Sequence, residues 1–388
     1  MRTRVADALA DRFGDATARE ATLERRGGHA SLRIYWRVEL PAPGPRRSYP
    51  RGEHILRALA LPEADAPPDS DVAPPDPRGG FRDAADAWPF VNVQRYLSRI
   101  GLPVPALDHV DLARGVLLIE DLGDELFEHA VLRAAGVDPE SDHDDPPGPL
   151  DGDEVFALYR DVIDIVVDLH RAARHSLADP AFGDARRCMA FERAFDREAL
   201  LWELDHYREW GLEARRGAEA VAPHDDTLSD AFGRLTGELL ELPQALALKD
   251  LQSRNVMRKA GRWHLIDFQD ALLAPFVYDL VALLRDSYVV LDDALVDRLL
   301  DYYADEAASA ELPWADDPAE TKRAFHLQTL QRKLKDAGRF IFVEREQGQD
   351  EFLPYYEPSI GYAKRALEEL PDFADLRDAL AEVEPAFG

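Results

Sequence analysis

The chain has 388 residues, 46% of them hydrophobic, which is enough for one large domain or two lobes with substantial cores. Its formal net charge of −29 argues against non-specific nucleic-acid binding, which needs a basic face, and no apolar run reaches membrane-spanning length. A single cysteine, Cys188, excludes an internal disulfide. The first turn, with Arg2, Arg4 and Asp7, is too charged for a signal peptide, so the expectation is a cytoplasmic protein with neither membrane nor nucleic-acid partner. Only six of the 46 basic residues are lysines, a composition that suits high salt and equally a GC-rich genome.

Taken in order, residues 1–20 predict an amphipathic helix from Val5, Leu9 and Phe13 at helical spacing. Residues 30–40 alternate and are rich in β-branched and aromatic side chains, which predicts a strand, and 53–61 predict a second. The Pro- and Asp-rich stretch 62–80 is a loop. Phe90–Ile100 is a helix ended by Gly101, followed by strands at Val104–Val110 and Gly115–Glu120. From Asp121 the chain turns helical, interrupted by an acidic insert at about 136–152 that predicts a mobile surface loop. Helices are expected near 153–174, 192–216, 226–241, 276–290, 292–308, 317–340 and 359–369. A small β-rich lobe followed by a larger helical one is the layout of an α+β, protein-kinase-like two-lobed fold. The boundaries would be 1–120 for a nucleotide-binding N-lobe and 121–388 for a catalytic, acceptor-binding C-lobe.

Residues 248–270 are the most informative. Asp250 and Asn255 stand in a D-x-x-x-x-N frame, and Asp267 follows twelve residues later, before Phe268. This is the order of a phosphoryl-transfer site: a catalytic carboxylate, a metal-binding amide, a metal-binding carboxylate. A hydroxyl attacking a γ-phosphate needs a carboxylate to orient it and take its proton, and Mg²⁺ takes hard oxygen ligands. Val256–Met257, the turn Ala260–Arg262 and Trp263–Ile266 read as a hairpin that would bring Asn255 and Asp267 to neighbouring strand ends. Asp279 is placed either to brace the catalytic loop by hydrogen bonds or to cap a helix.

Other signals are weaker alone. The turn Arg26–Ser31 has two glycines before the first predicted strand, as a phosphate cradle or a plain hairpin turn would. The N-lobe has no lysine, so Arg57 is the substitute for a phosphate clamp, or a solvated edge residue. No acid stands to pair with it on the following helix, where Asn92 and Gln94 are found. Leu117–Gly123 reads either as a hinge whose backbone would bind adenine, with Glu120 and Leu122 as the binding residues, or as a strand ending at a Gly turn.

Leu248–Asp250, Ser253–Asn255, Asp267–Ala271, Pro275, Tyr278–Leu280 and Leu283–Asp286 resemble the aminoglycoside phosphotransferase-like kinases. Within them, the pattern is similar to the bacterial anomeric kinases that phosphorylate N-acetylmuramate and N-acetylglucosamine in peptidoglycan recycling. Ala30–Val38, Phe90–Asp124 and Leu330–Gly338, with Gln331, Arg332 and Lys335, extend the resemblance to about residues 24–370. It implies ATP and Mg²⁺ as cofactors and a small-molecule sugar or alcohol as acceptor. It further implies Asp250 as catalytic base, Asn255 and Asp267 as metal ligands, and Ser31 with its loop as a phosphate cradle. The segment bearing Glu203 and Trp210 would shape the sugar side. Relatives carry His where Leu248 stands. That departure leaves two alternatives open: a kinase for another small alcohol or an aminoglycoside, and a pseudokinase that binds nucleotide without turnover.

Overall fold

The structure is a computed structural model, and it describes residues 2–26, 34–42, 49, 55–60, 88–141, 147–179 and 188–388. Ser31 and the 62–80 loop lie outside the described residues. The backbone divides into two units. The first comprises Met1–Glu125, Asp184–Glu192 and Met257–Asp270, and the second Leu126–Gly183, Arg193–Val256 and Ala271–Gly388. No helix among the described residues is long and apolar enough to cross a membrane.

The first unit opens with α1 (Arg2–Phe13) and α2 (Asp15–Glu20). The single helix expected over 1–20 is broken at Gly14, whose φ of 87° is a conformation that L side chains rarely adopt. Then follow β1 (Thr22–Arg26), β2 (Ile34–Glu39), β3 (Ile55–Ala60), α3 (Pro89–Arg99), β4 (Leu107–Asp111) and β5 (Val116–Glu120). The strands form one antiparallel sheet of order β1-β2-β3-β5-β4. β1 was not anticipated; its burial hardly alternates, so period two is faint in TLERR. The sheet's two faces are legible in β5. Val116 and Leu118 pack with Val38, Leu56, Ala58 and the Val5, Ala8 and Leu9 stripe of α1. Leu117 and Ile119 pack with Val91 of α3. Each fully buried Val or Leu contributes about 1.5–3 kcal/mol, so Val5 and Leu9 fasten α1 to the sheet.

The second unit contains α4 (Phe127–Ala134) and α5 (Asp153–Ala178). The closing end of the acidic insert is anchored ahead of α5. Leu150 is buried, its N–H donates to Val290 O at 2.8 Å, and its carbonyl accepts from Asp292 N–H at 2.9 Å. α6 (Arg197–His206) begins five residues later than expected because Asp196 caps it, accepting from Ala199 N–H at 2.8 Å. It runs on through a π-helical stretch, Tyr207–Glu213, into α7 (Ala214–Arg216), α8 (Ala218–Val221) and α9 (Asp225–Glu241). Four short strands follow: β6 (Gln244–Ala247), β7 (Val256–Lys259), β8 (Arg262–Leu265) and β9 (Leu272–Pro275). β6 pairs with β9 antiparallel, and β7 with β8 as a separate two-stranded sheet carried mostly by the first unit. Then come α10 (Tyr278–Leu284), α11 (Asp293–Ser309), α12 (Pro318–Gln347), α13 (Tyr356–Glu368) and α14 (Ala374–Val383). The sequence did not suggest β6, β9 or α14.

α12 is the spine of the second unit. Asp317 caps it by accepting from Ala319 N–H at 2.8 Å, Pro318 occupies its first turn, and Gly348 ends it in the left-handed conformation at φ 67°. Its apolar residues Leu330, Leu334 and Ile341 join Leu200, Leu204, Phe232, Ile360 and Leu376 in one core. At Gly338 the backbones of α12 and the π stretch touch. A Cβ there would lie 2.7 Å from Tyr207 Cα and 3.1 Å from His206 O, atoms that cannot rotate aside. Gly338→Ala is therefore expected to lower stability by about 1–3 kcal/mol in urea denaturation, since overpacking forces the helices apart. An unchanged midpoint would show that this crossing is not tight.

Candidate active site

The loop after β6 is held by charges from two helices. Lys249 has φ 78°, a strained conformation for a residue with a side chain. Its N–H donates to Oδ1 of Asp279 at 3.2 Å, and the N–H of Leu248 donates to Oδ2 of the same carboxylate at 2.7 Å. Of the two roles open to Asp279, the structure shows the brace; the N-cap position of α10 is Val277. From α12, Arg332 donates through Nη1 to Lys249 O at 2.9 Å and through Nη2 to Oδ1 of Asp250 at 3.3 Å. The Arg332 side chain is 2% exposed and that of Asp250 is 37% exposed. A buried anion thus holds the N–H side of this turn, and a buried cation holds its carbonyl side.

The rest of the loop is equally tied. Ser253–Asn255 form a turn of 3-10 helix, and Asn255 N–H donates to Gln252 O at 2.8 Å. Nδ2 of Asn255 donates to Asp250 O at 2.8 Å, leaving its Oδ1 as an acceptor. Asp286, buried at the end of α10, accepts from Ser253 N–H at 2.7 Å and Tyr288 N–H at 3.1 Å. Burial pushes the Asp286 carboxyl up from its ordinary range, against these hydrogen bonds. Glu128 of α4 accepts from Nε and Nη2 of Arg254 at 2.8 and 3.0 Å, a bidentate pair.

Around Arg332, α12 carries Lys333, Lys335 and Asp336. Lys333 Nζ donates to Asp336 at 3.0 Å and to Ser287 at 3.1 Å, and Lys335 pairs with Asp336 at 3.0 Å. Burial would raise the Asp336 carboxyl, but Lys335, Lys333 and Arg332 outweigh it and hold it well below the usual range. Gln331 Nε2 donates to Glu203 at 2.5 Å, fastening α12 to α6 beside this cluster.

The remaining expected site residues belong to the first unit. Asp267 stands two residues past β8 with φ 60°, its Oδ1 accepting from Gln269 Nε2 at 2.9 Å. Phe268 is buried against the Phe90 ring, with centroids 5.0 Å apart, and anchors the segment. The anticipated hairpin is present, and its turn residues Ala260 and Gly261 have φ 49° and 79°, as a type I′ turn requires. Glu120 accepts from Lys259 Nζ at 2.8 Å and from Ala106 N–H at 3.1 Å. Burial would raise the Glu120 carboxyl, yet these two donors hold it below the usual range. Leu122 is buried beside it. Arg57 donates through Nη2 to Oδ1 of Asp121 at 3.2 Å and to Gly123 O at 2.9 Å, and Arg37 reaches Oδ2 of Asp121 at 3.1 Å. Asn92 and Gln94, where a pairing acid might have stood, fasten neighbouring loops through Met189 N–H and Pro105 O, each at 2.9 Å.

The structure therefore gathers Asp250 and Asn255 in one loop of the second unit, and Arg57, Glu120, Leu122 and Asp267 in the first. Sequence reasoning named Arg332 and Asp286 only as parts of the resembling motifs, not as partners of the loop, and passed over Glu128 altogether. One signal was available. Four of the six lysines, at 249, 259, 333 and 335, stand beside these residues in a chain that uses arginine almost everywhere else.

Burial raises the Asp279 carboxyl to about 7, although two backbone N–H groups and Arg332 favour its anion. The unfolded group titrates near 3.8, so the folded state binds the extra proton and gains stability as pH falls through 7. Between pH 8 and 6 this single group is expected to add about 1 kcal/mol of stability, and that increment should vanish in Asp279→Asn. Denaturant titrations of both proteins at the two pH values check it; equal pH responses would remove the assignment.

Residues 9–314 match the family described as the phosphotransferase enzyme family. The chain is 28% identical over 301 residues to the N-acetylmuramate/N-acetylglucosamine kinase of Neisseria meningitidis serogroup B, covering 78% of this chain and 81% of that one. It is 25% identical over 296 residues to the protein of the same name from Pseudomonas putida, covering 76% and 78%. Among solved structures, it is similar to choline kinase from Cryptosporidium parvum, with TM-score 0.58, 11% identity and coverage of 97% and 98%. It is also similar to a putative aminoglycoside phosphotransferase from Ralstonia eutropha, with TM-score 0.55, 11% identity and coverage of 96% and 98%. These structural likenesses bear out the protein-kinase-like α+β fold expected from the order of elements. With most of its length matched, the chain belongs to the phosphotransferase enzyme family and is a kinase with an alcohol acceptor.

Proposed function

We propose that the protein is an ATP- and Mg²⁺-dependent kinase that phosphorylates the anomeric hydroxyl of an amino sugar such as N-acetylmuramate or N-acetylglucosamine. The observation that carries this reading is the likeness to two kinases named for those sugars, each over about three quarters of both chains. The reading places the protein in the cytoplasm, on sugars released from peptidoglycan.

In it, Asp250 is the general base. Its carboxylate is partly exposed and restrained at one oxygen, as a base that must meet a small hydroxyl requires. As the hydroxyl oxygen bonds to the γ-phosphorus, its proton passes to Asp250 and the bond to the departing ADP breaks. Asn255 and Asp267 would be the metal ligands. The residue types fit: an amide whose Nδ2 is already engaged by Asp250 O leaves its oxygen to ligate, and a carboxylate stands beside it in the set, both hard ligands. Bound there, Mg²⁺ supplies neutralisation of phosphate charge. In this reading Glu120 and Leu122 serve the adenine, and Arg57 and Ser31 serve the phosphates.

The protein incubated with ATP, Mg²⁺ and either sugar is expected to give a sugar 1-phosphate, read as phosphorus coupling to the anomeric proton. Phosphorylation of a primary hydroxyl, or of an aminoglycoside alone, would overturn the acceptor. Asp250→Asn is expected to keep its thermal midpoint and to lose about 10²–10⁴-fold in kcat, the usual worth of a general base. A kcat near that of the wild type would remove Asp250 from that role.

A further inference from the structure

We propose that Arg332 is a positioning residue for phosphoryl transfer: it holds Oδ1 of Asp250 and the Lys249 carbonyl on one guanidinium, so that Oδ2 is the oxygen offered to the acceptor. The proposal rests on the reading of Asp250 as the base.

A guanidinium buried to this degree is costly unless charges and acceptors meet it. Among the described residues its acceptors are successive residues of one loop, the carbonyl of Lys249 and the carboxylate of Asp250. The neighbouring cations face elsewhere: Lys333 is engaged by Ser287 and Asp336, and Lys335 by Asp336. Arg332 is thus aimed at the loop by the partition of charges along α12.

The Lys249 peptide explains why such a grip is needed. A left-handed residue with a side chain costs about 1–2 kcal/mol, and this one sits directly before Asp250. Asp279 fixes its N–H and Arg332 its carbonyl, so the direction in which Asp250 leaves the turn is set from both sides. A brace for the backbone would need only the bond to Lys249 O. The second bond, to Oδ1, restrains a side chain that is 37% exposed and would otherwise sample several rotamers. The guanidinium also lies over the ring of Tyr278, 5.0 Å from its centroid, on the same helix that bears Asp279. Both grips on the loop therefore share one base. A planar fork presents its donors to two acceptors in one fixed geometry; an ammonium on a flexible stem can also meet two acceptors, as Lys333 does, but without that fixed orientation.

The test is a double-mutant cycle in Arg332→Lys, Asp250→Asn and the double variant, with ATP, Mg²⁺ and N-acetylglucosamine. Slow hydrolysis of ATP by water is measured alongside as an acceptor-independent readout. Arg332→Lys is expected to lose about 10–100-fold in kcat with KM for ATP within about twofold, and to cost little in the Asp250→Asn background, because residues acting as a unit are non-additive. Arg332→Gln, which keeps a donor for the Lys249 carbonyl and drops the charge, should show the same non-additivity. If either variant lowers kcat by the same factor in both backgrounds, or lowers only the thermal midpoint, Arg332 is structural and the proposal fails while Asp250 stands. If Asp250→Asn alone retains kcat, the reading beneath the proposal falls first.

Discussion

The grip on the turn from Leu248 to Asp250 is the constraint on which the second unit's chemistry depends. A carboxylate on α10 takes two N–H groups, and a guanidinium on α12 takes the carbonyl and the following side chain. Asp279 and Arg332 are both buried, so their hydrogen bonds tie the loop, α10 and α12 into one network. Asp286 repeats the device at Ser253, and Glu128 with Arg254 ties the loop's far end to α4. Backbone strain at Lys249 persists because its surroundings over-determine it, as strained residues at functional sites require.

The acidity of the chain sharpens this picture. With a net charge of −29, a cation placed at random on the surface would find carboxylates nearby, and exposed pairs of that kind contribute little. Arg332 and Lys333 are different because they are buried, and with the half-buried Lys335 they pair with Asp250 and Asp336. The first unit shows the same economy at Asp121, a buried carboxylate that joins β2 and β3 to the end of β5 through Arg37 and Arg57.

Much of this was legible in the sequence. The hairpin at 256–265 announced itself through Ala260–Gly261, and the strand Val116–Glu120 through residues apolar on both faces. Asp279 was singled out as a brace or a helix cap, and its hydrogen bonds with Leu248 and Lys249 N–H show the brace. The failures share a cause. β6 and β9 are four residues each, too short for a period to show, and each is defined by pairing across some thirty residues. Gly14 and Asp196 moved helix ends through local backbone and cap geometry that apolar spacing does not report. Arg332 lies 82 residues from Asp250, and in a helix already rich in charge nothing local marks it as the residue that turns inward.

Gly338 has a consequence for how this protein can diverge. It locks α12 against the backbone of Tyr207, while six residues earlier Arg332 must point at the Asp250 loop. The two contacts fix the phase of one helix at two places. A residue inserted or deleted between them would turn one contact by about 100° and slide it by about 1.5 Å relative to the other. Point changes on the exposed side of this segment can drift freely, but its length cannot: the interval from 332 to 338 behaves as a ruler whose two ends are read by different parts of the fold.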